Sequence, residues 1–321
     1  MNRKEIKPFV RPFFGTWPFA VLLAAALAAG CVRRDLEPWP TEGSVEIVLD
    51  WDGDERPQTA RFLFYDESGD LVREETGLTD GFRGTLPVGK YLLVVHNTDA
   101  GQVEYRGTEK YETAEVYAKH IDYGKGQHPA EGVPCILEPQ MAFGAGACNE
   151  FDRIEVFPGR TTPATITPGL LVKQVEFRFS VKSDAEVRSL RGVLGGVAPG
   201  VFLADGRHNT ATSCSLEFTA SPASRATSGD YTARVGIFNL LTTAQSPDGT
   251  NIVHVVITLA DGQELPADVD LTPTLREIYT GQGNILPAEI PLDITFTVTE
   301  LGLSSTVGEW TPGSGGSDVV D

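Results

Sequence analysis

Three carboxylates at alternate positions form the most suggestive chemical pattern in this 321-residue sequence. The segment Asp50-Trp-Asp-Gly-Asp54 begins as a calcium-binding loop begins. Arg61, however, stands where an EF-hand loop places its chelating Glu. We therefore interpret the segment as the polar tip of a hairpin and expect no metal site there.

Other residues that commonly do chemistry do not fall into a recognisable pattern. No two histidines have the spacing of a helical zinc site, and the sequence contains neither Cys-x-x-Cys nor Gly-x-Ser-x-Gly. The glycine-rich stretch 192–200 lacks the Lys-Ser/Thr of a phosphate-binding loop. The five histidines are His96, His120, His128, His208 and His254. We therefore expect no catalytic residue, metal or cofactor.

Cys31 has the strongest chemical context in the sequence. It follows a basic segment and an apolar run, Phe19–Ala29, which together are typical of a signal peptide. Ala28-Ala29-Gly30-Cys31 resembles a bacterial lipobox, a signal in which the cysteine thiol is diacylated and the chain is cut before the cysteine. We therefore predict a signal peptide over 1–30 and lipidation at Cys31. The alternatives are an ordinary secretory signal and an uncleaved membrane helix, which Arg33 and Arg34 disfavour.

Three further cysteines remain, Cys135, Cys148 and Cys214. An exported chain can form disulfides, and Cys135 and Cys148 are close enough in sequence to close a small loop. The alternative is that all three are separately buried as small apolar side chains.

The charge balance argues against nucleic acid as a partner. Removal of residues 1–30 takes away four basic residues and one acidic residue, which leaves 22 basic and 43 acidic residues and a net charge of −21. Such an excess of negative charge disfavours nucleic acid and anionic headgroups.

Alternating apolar residues predict strands through most of the chain. Val45, Ile47, Leu49 and Trp51 share one face of a first strand, and 60–65 and 82–86 continue the pattern. Residues 90–97 are apolar on both faces, which predicts a central strand. Further strands are predicted at 103–105, 133–137, 154–157, 175–181, 189–194, 216–219, 231–240, 252–259 and 292–299, while 114–123 is left open between helix and strand.

These segments predict an all-β chain with two antiparallel β-sandwich domains in series. A tether, 31–43, leads to an N-terminal sandwich, 44–157, and a Pro/Thr/Gly-rich linker, 158–169, leads to a C-terminal sandwich, 170–303. A Gly/Ser-rich tail, 304–321, follows. One short helix is predicted over 272–281, with Thr272 as its N-cap and Gly281 as its terminator.

The order of several short motifs resembles a family of outer-membrane lipoproteins of unassigned function, related to fimbrillin-type anchoring subunits of type V fimbriae. The motifs are Arg33-Arg34-Asp35-Leu36, Asp50-Trp51, Phe62-Leu-Phe-Tyr65, Leu86-Pro-Val-Gly-Lys-Tyr91, Tyr105-Arg-Gly-Thr108, Glu138-Pro-Gln-Met-Ala-Phe-Gly144 and Leu190–Gly200.

This resemblance implies two transthyretin-like domains and a structural, non-enzymatic role at the cell surface, as an anchor or accessory subunit of a fimbria or as an adhesin. It implies outer-membrane lipid as a partner through acylated Cys31, and fimbrial subunits as partners through strand-mediated contact. In stalk subunits of that kind a protease removes the first strand after an arginine. Arg56 and Arg61 follow the first strand here, but an anchor would retain it. The alternative function is a glycan-binding surface lipoprotein that uses Trp39, Trp51 or Trp310.

Overall fold

A computed structural model describes residues 39–51, 56–121, 133–146, 153–223, 229–241, 250–299 and 302–309. The chain divides into two units, 1–40 and 41–321. Of the first unit, only Trp39 and Pro40 are described, and Trp39 is exposed. In the described ranges, no helix is both long enough and apolar enough to span a membrane. The predicted signal peptide and Cys31 lie outside the described residues.

The second unit is all-β, as predicted. The strands of its first half are β1 (Glu42–Leu49), β2 (Ala60–Tyr65), β3 (Leu71–Gly77), β4 (Gly81–Pro87), β5 (Gly89–Asn97), β6 (Val103–Arg106), β7 (Glu115–Ala118), β8 (Cys135–Ile136), β9 (Phe143–Ala145) and β10 (Ile154–Val156). In the segment 114–123, which was left open between helix and strand, Glu115–Ala118 form strand β7, and a 3₁₀ turn, Tyr111–Thr113, precedes it.

The second half contains eleven strands and one α-helix within its described residues. The strands are β11 (Thr161–Ile166), β12 (Gly169–Leu170), β13 (Lys173–Lys182), β14 (Val187–Val197), β15 (Gly200–Phe202), β16 (Cys214–Pro222), β17 (Asp230–Ile237), β18 (Ile252–Leu259), β19 (Glu264–Asp270), β20 (Glu289–Thr299) and β21 (Gly302–Val307). The helix is α1 (Thr272–Gly281).

The first sandwich packs a three-stranded sheet, in the order β11-β1-β4, against a sheet in the order β12-β9-β5-β2-β3. β1 runs parallel to β11 and antiparallel to β4. Between the two sheets lies a core that includes the apolar side chains of β1, β2 and β5. Strand β5 is buried on both faces, because Leu93 and Val95 face this core while Val94 faces a second one. The prediction of a central strand at 90–97 is confirmed.

The second sandwich is built from strands in the order β19-β18-β14-β16-β17-β13-β20-β21. Its core contains Phe177, Phe179 and Phe218, whose rings stack, with 4.8 Å between the ring centroids of Phe177 and Phe218. These phenylalanines come from the alternating pattern that predicted β13 and β16. The two edge strands, β19 and β21, lie side by side, so the sheet curls toward a barrel.

Strands from the first half of the chain pair with strands from the second half. β15 pairs with β7, and β8 pairs in parallel with β16. The large second core accordingly contains Leu63, Tyr65 and Val94 from the first sandwich. Spacing in the sequence carried no signal for these pairings, because they join segments about 80 residues apart.

Two expected connections are strands. Residues 158–169 were predicted as a linker, but Thr161–Ile166 form β11, and this part of the prediction is wrong. The tail predicted from residue 304 likewise begins as strand β21, which pairs with β20. In both cases tertiary pairing overrides a Thr-, Ser- and Gly-rich composition.

Helix α1 has its predicted bounds but not its predicted cap. Thr272 is the first helical residue, and its Oγ1 accepts a hydrogen bond from the backbone N–H of Asn251 (3.0 Å). The side chain of Asp270 accepts a hydrogen bond from the N–H of Thr272 (2.9 Å). After Gly281 the chain turns at Gly283, which has φ +70°. The helix is thus fastened at its start to the strand that follows Asn251.

Candidate functional site: the first strand behind the tether

Strand β1 is the first described element after the predicted lipid site. Glu42, where β1 begins, follows Cys31 by eleven residues. Force transmitted along the chain from a lipid at Cys31 would therefore reach the described strands first at β1. The hydrogen bonds and side-chain contacts of β1 show how firmly this strand is held in the fold.

Hydrogen bonds hold β1 along both edges. On the β11 side, the N–H of Ser44 donates to the carbonyl of Arg160 (2.8 Å), and the N–H of Asp50 donates to that of Ile166 (2.8 Å). On the other side, the N–H of Leu49 donates to the carbonyl of Asp80 (3.1 Å). Even-numbered residues of β1 thus bond β11 and odd-numbered residues bond the β4 side, as expected for a strand in the middle of a sheet.

One face of β1 is buried in the first core. Val45, Ile47, Leu49 and Trp51 are each less than a tenth exposed. The Trp51 ring packs edge-on against Phe143, with 5.5 Å between ring centroids, and its Nε1–H donates to the carbonyl of Thr79 (2.6 Å). The side chain of Trp51 is therefore part of the core, which removes it from the candidate glycan contacts.

The end of β1 is also fastened by a charged side chain. Nη1 of Arg56 donates to the carbonyl of Trp51 (2.7 Å). Gly81, opposite the end of β1, has φ +145° and lies so close to the carbonyl of Ile47 that no side chain would fit. Arg56 and Gly81 thus both contact the backbone near the end of β1.

The outer edge of β11 carries Pro163. The bonds from Ser44 and Asp50 show that even-numbered residues of β11 face β1, so Pro163 faces away from it. Proline has no N–H, and on an edge strand this loss costs no ladder bond. An edge without that donor is also a poor template for pairing with another strand.

The interpretation of Asp50–Asp54 as a polar hairpin tip and the disulfide between Cys135 and Cys148 stay predictions. Asp50 is exposed, while Asp52 and Asp54 lie outside the described residues. Cys135 is buried in β8, and its predicted partner Cys148 also lies outside the described residues. Cys214 is buried, and its burial raises the pKa of its thiol to about 11. Cys214 is therefore protonated and unreactive at neutral pH.

The described histidines have different surroundings. His96 is buried, its ring stacks on Tyr105 with 3.7 Å between centroids, and its Nδ1 lies 2.8 Å from the carbonyl of Asn97. Burial lowers the pKa of His96 to about 4, and that of His208 to about 4 as well. His254 lies on an outer face beside Asp268 (2.7 Å). Over the described ranges, no three His, Cys, Asp or Glu residues are grouped so that they could hold a metal.

A buried carboxylate that sequence reasoning missed joins the two halves. Glu115 of β7 is 3% exposed, and its Oε2 accepts a hydrogen bond from Nε of Arg106 (2.7 Å). Its Oε1 accepts a hydrogen bond from Nδ2 of Asn209 (2.7 Å), which belongs to the second half. The guanidinium of Arg106 also lies 3.3 Å from the centroid of the Tyr117 ring. A buried carboxylate held in this way is structural, because both of its oxygens already have partners.

A groove of about 820 Å³ crosses the outer face of β14, β16, β17 and β18. Two of its polar side chains have partners within the protein: Arg191 contacts Glu264 (2.9 Å), and Glu138 accepts a hydrogen bond from the N–H of Gly236 (2.7 Å). Phe218, an aromatic residue in its lining, is buried and stacks on the core. The groove therefore offers no exposed aromatic surface from its lining residues for a sugar ring.

Comparisons with known proteins give the family of this chain and, separately, its fold. A family model described as "Domain of unknown function (DUF5119)" matches residues 30–219. The chain is 41% identical over 104 residues to a Bacteroides ovatus protein named "Putative fimbrium anchoring subunit Fim4B". That match covers 31% of each chain, so this chain spans about a third of the length of the curated relative that it matches.

Solved structures show the same fold at low sequence identity. A structure described as "a putative adhesin" from Bacteroides ovatus has a TM-score of 0.56 and 22% identity, covering 76% of this chain and 88% of that chain. The fimbrial anchor protein Mfa2 from Porphyromonas gingivalis has a TM-score of 0.50 and 10% identity, covering 83% of this chain and 98% of that chain.

Proposed function

We propose that this chain, which belongs to the DUF5119 family, is a lipid-anchored structural subunit that holds a fimbrial assembly at the outer membrane. The role is one of assembly and attachment rather than enzymatic. The lipid on Cys31 would hold the protein in the membrane, and strand-mediated contacts would hold its partner. The 41%-identical relative named as a fimbrium anchoring subunit supports this proposal, although it aligns with only 31% of this chain.

The position of β1 is the structural observation that carries the proposal. β1 lies between two strands and contributes to the first core, so the fold is complete with its first strand in place. A subunit that lost this strand would also lose Cys31, which precedes it. Retention of β1 therefore keeps the lipid covalently joined to the sandwich, as an anchor requires.

The arginines that follow β1 are held within the fold. Arg61 lies in β2, between β3 and β5, and its Nη1 contacts Glu74 (2.9 Å). Arg56 binds the carbonyl of Trp51. A protease needs an extended, accessible backbone, and the backbone at Arg61 is already paired on both sides. This arrangement supports retention of β1 in the assembled protein.

The charge of the chain supports attachment through a lipid. A net charge of −21 after residue 30 repels an anionic membrane surface. Stable attachment would then depend on acyl chains, each buried methylene of which contributes about 0.8 kcal/mol.

Fractionation of cells tests the anchor directly. We expect the wild-type protein in the outer-membrane fraction, where it should bring fimbrial subunits with it in a pull-down. Cys31→Ala should leave folding intact and release the protein from the membrane. Cys214→Ala serves as a matched control, because it removes a thiol that is buried in β16 and should leave membrane attachment unchanged.

Two results would contradict the proposal. Membrane retention of the Cys31→Ala protein would contradict attachment through a lipid on Cys31. The fimbrial role would be contradicted if the wild-type protein were repeatedly recovered without any fimbrial subunit. Protection of the protein from protease on intact cells would contradict it as well.

A further inference from the structure

The chain enters and leaves the β1–β11 pair at opposite ends. It enters β1 at Glu42 from the side of the predicted tether, and it leaves β11 at Ile166 on the way to β12 and β13. The two strands are parallel, with Ser44 opposite Thr161 and Leu49 opposite Ile166. Tension between the tether and the second sandwich would therefore pull the two strands in opposite directions along their common axis.

This direction of pulling is the one in which a ladder of hydrogen bonds resists most. Displacement along the strand axis stretches every rung at the same time, whereas separation from one end breaks the rungs one after another. The bonds that bracket the ladder join Ser44 to Arg160 and Asp50 to Ile166. The register places the others regularly between them. Seven residue pairs with β4 hold the other edge of β1 in the same way.

The side chains of β1 add to this resistance. For β1 to slide, Val45, Ile47 and Leu49 would have to leave the first core together, because all three lie on the same buried face. Trp51 would have to leave its contact with Phe143 and its hydrogen bond to Thr79 as well. Sliding therefore requires many contacts to break in a single step.

We propose that β1 and β11 form a load-bearing shear clamp that carries tension from the membrane tether into the second sandwich. The proposal rests on the proposed anchoring function, because only an anchored chain with a partner experiences such tension. It assigns a mechanical role to β11, a segment whose composition predicted a linker. It also explains why the first strand lies inside a sheet rather than at its edge.

Single-molecule pulling with two sets of attachment points tests the clamp. The chain from residue 31 onward, unacylated, would carry bioorthogonal handles at Thr41 and Thr165 in one version, and at Asp50 and Thr165 in the other. All three positions are exposed. The first version pulls the strands apart in shear, and the second peels the same two strands from one end.

We expect the rupture force in the shear version to be severalfold higher than in the peeling version, because forced unfolding follows the barrier along the pulled direction. Equal rupture forces in the two versions would overturn the clamp. The measurement involves no fimbrial subunit, so it can fail while the anchoring proposal stands. Absence of fimbrial subunits from the pull-down would contradict the anchoring proposal and leave the measured forces unchanged.

Two neighbouring substitutions provide a matched check in the shear version. The register directs the N–H of Thr162 at the carbonyl of Ser44, so Thr162→Pro removes a rung and should lower the rupture force. Pro163→Ala changes a residue that faces away from β1 and should leave the force unchanged. An equal effect of the two substitutions would contradict the clamp. If Thr162→Pro does not fold, the comparison of attachment points decides the question by itself.

Discussion

The first and last described strands of this protein are held in opposite ways. β1 lies between β11 and β4, with hydrogen bonds along both edges and one face in the first core. β21 lies at the end of its strand order and, among the described strands, pairs only with β20, and its Leu303 and Val307 are only half-buried. The strand nearest the predicted lipid is thus locked into the fold, whereas the last described strand is added at an edge.

This difference affects how a load is carried. A locked strand can transmit a load, because it cannot leave without disrupting the core. β21, in contrast, is hydrogen-bonded to β20 on one side and lies beside β19 on the other, and no ladder pair joins β19 to β21 in the described residues. Transmission of a load therefore suits β1 better than β21.

The largest expected effect comes from the locked end. Trp51→Ala removes a buried ring that contacts Phe143, together with its hydrogen bond to Thr79, and should lower the free energy of unfolding by about 3–5 kcal/mol. Denaturant unfolding of the chain from residue 31 measures the change. Trp39→Ala is the control, since Trp39 is exposed and its loss should cost less than about 0.5 kcal/mol. Similar losses in both variants would show that β1 is not locked.

Acid should weaken the sheet that packs on β1. His96 in β5 has its pKa lowered to about 4 by burial, so between pH 6.5 and 4 the unfolded chain takes up a proton that the folded chain does not. Stability should therefore fall as the pH falls through this range, by roughly 3 kcal/mol in total for this residue.

The variant His96→Phe keeps an aromatic ring against Tyr105 and should lose this part of the pH dependence. His208→Phe is the counterpart in the second half, because burial also lowers the pKa of His208 to about 4. Denaturant unfolding at pH 7 and pH 4.5 measures the free energy of unfolding of each variant and of the wild-type protein. An unchanged pH dependence in His96→Phe would contradict the assignment of acid sensitivity to the first sandwich.

The smallest expected effect belongs to the edge strand. Leu303→Ala truncates a half-buried side chain on β21 and should lower the free energy of unfolding by about 1 kcal/mol, less than a fully buried leucine. The same unfolding assay measures it beside Trp51→Ala. A loss as large as that of Trp51→Ala would show that the last strand is locked as firmly as the first, and the contrast between the two ends would disappear.

Local patterns predicted those strands whose two faces differ most. In β13, Val175, Phe177 and Phe179 alternate with polar residues, and the structure confirms that strand. Helix α1 was found from Pro273 and the glycine at its end. Strands such as β3, β19 and β21, in contrast, are polar or half-exposed, so their sequences resemble loops. Only pairing with a neighbour makes them strands.

The candidate site shows the same division. The alternation of Val45, Ile47, Leu49 and Trp51 was sufficient to predict a half-buried strand with a core tryptophan. It could not predict that β11 runs parallel beside it, because Thr161–Ile166 has a linker composition and lies more than 100 residues along the chain. Glu115 was missed for a similar reason, since its partner Asn209 lies in the other half of the chain.

By itself, the sequence determined the all-β class and which side chains of β1 face inward. It also predicted the lipid signal at Cys31. These properties depend on neighbours along the chain, namely an apolar run before a cysteine and a period of two. The tertiary structure alone decided that β1 is bonded on both edges, that β11 lies parallel to it, and that the two halves share a core. Those properties arise from hydrogen bonds and contacts between distant segments, which no local spacing encodes.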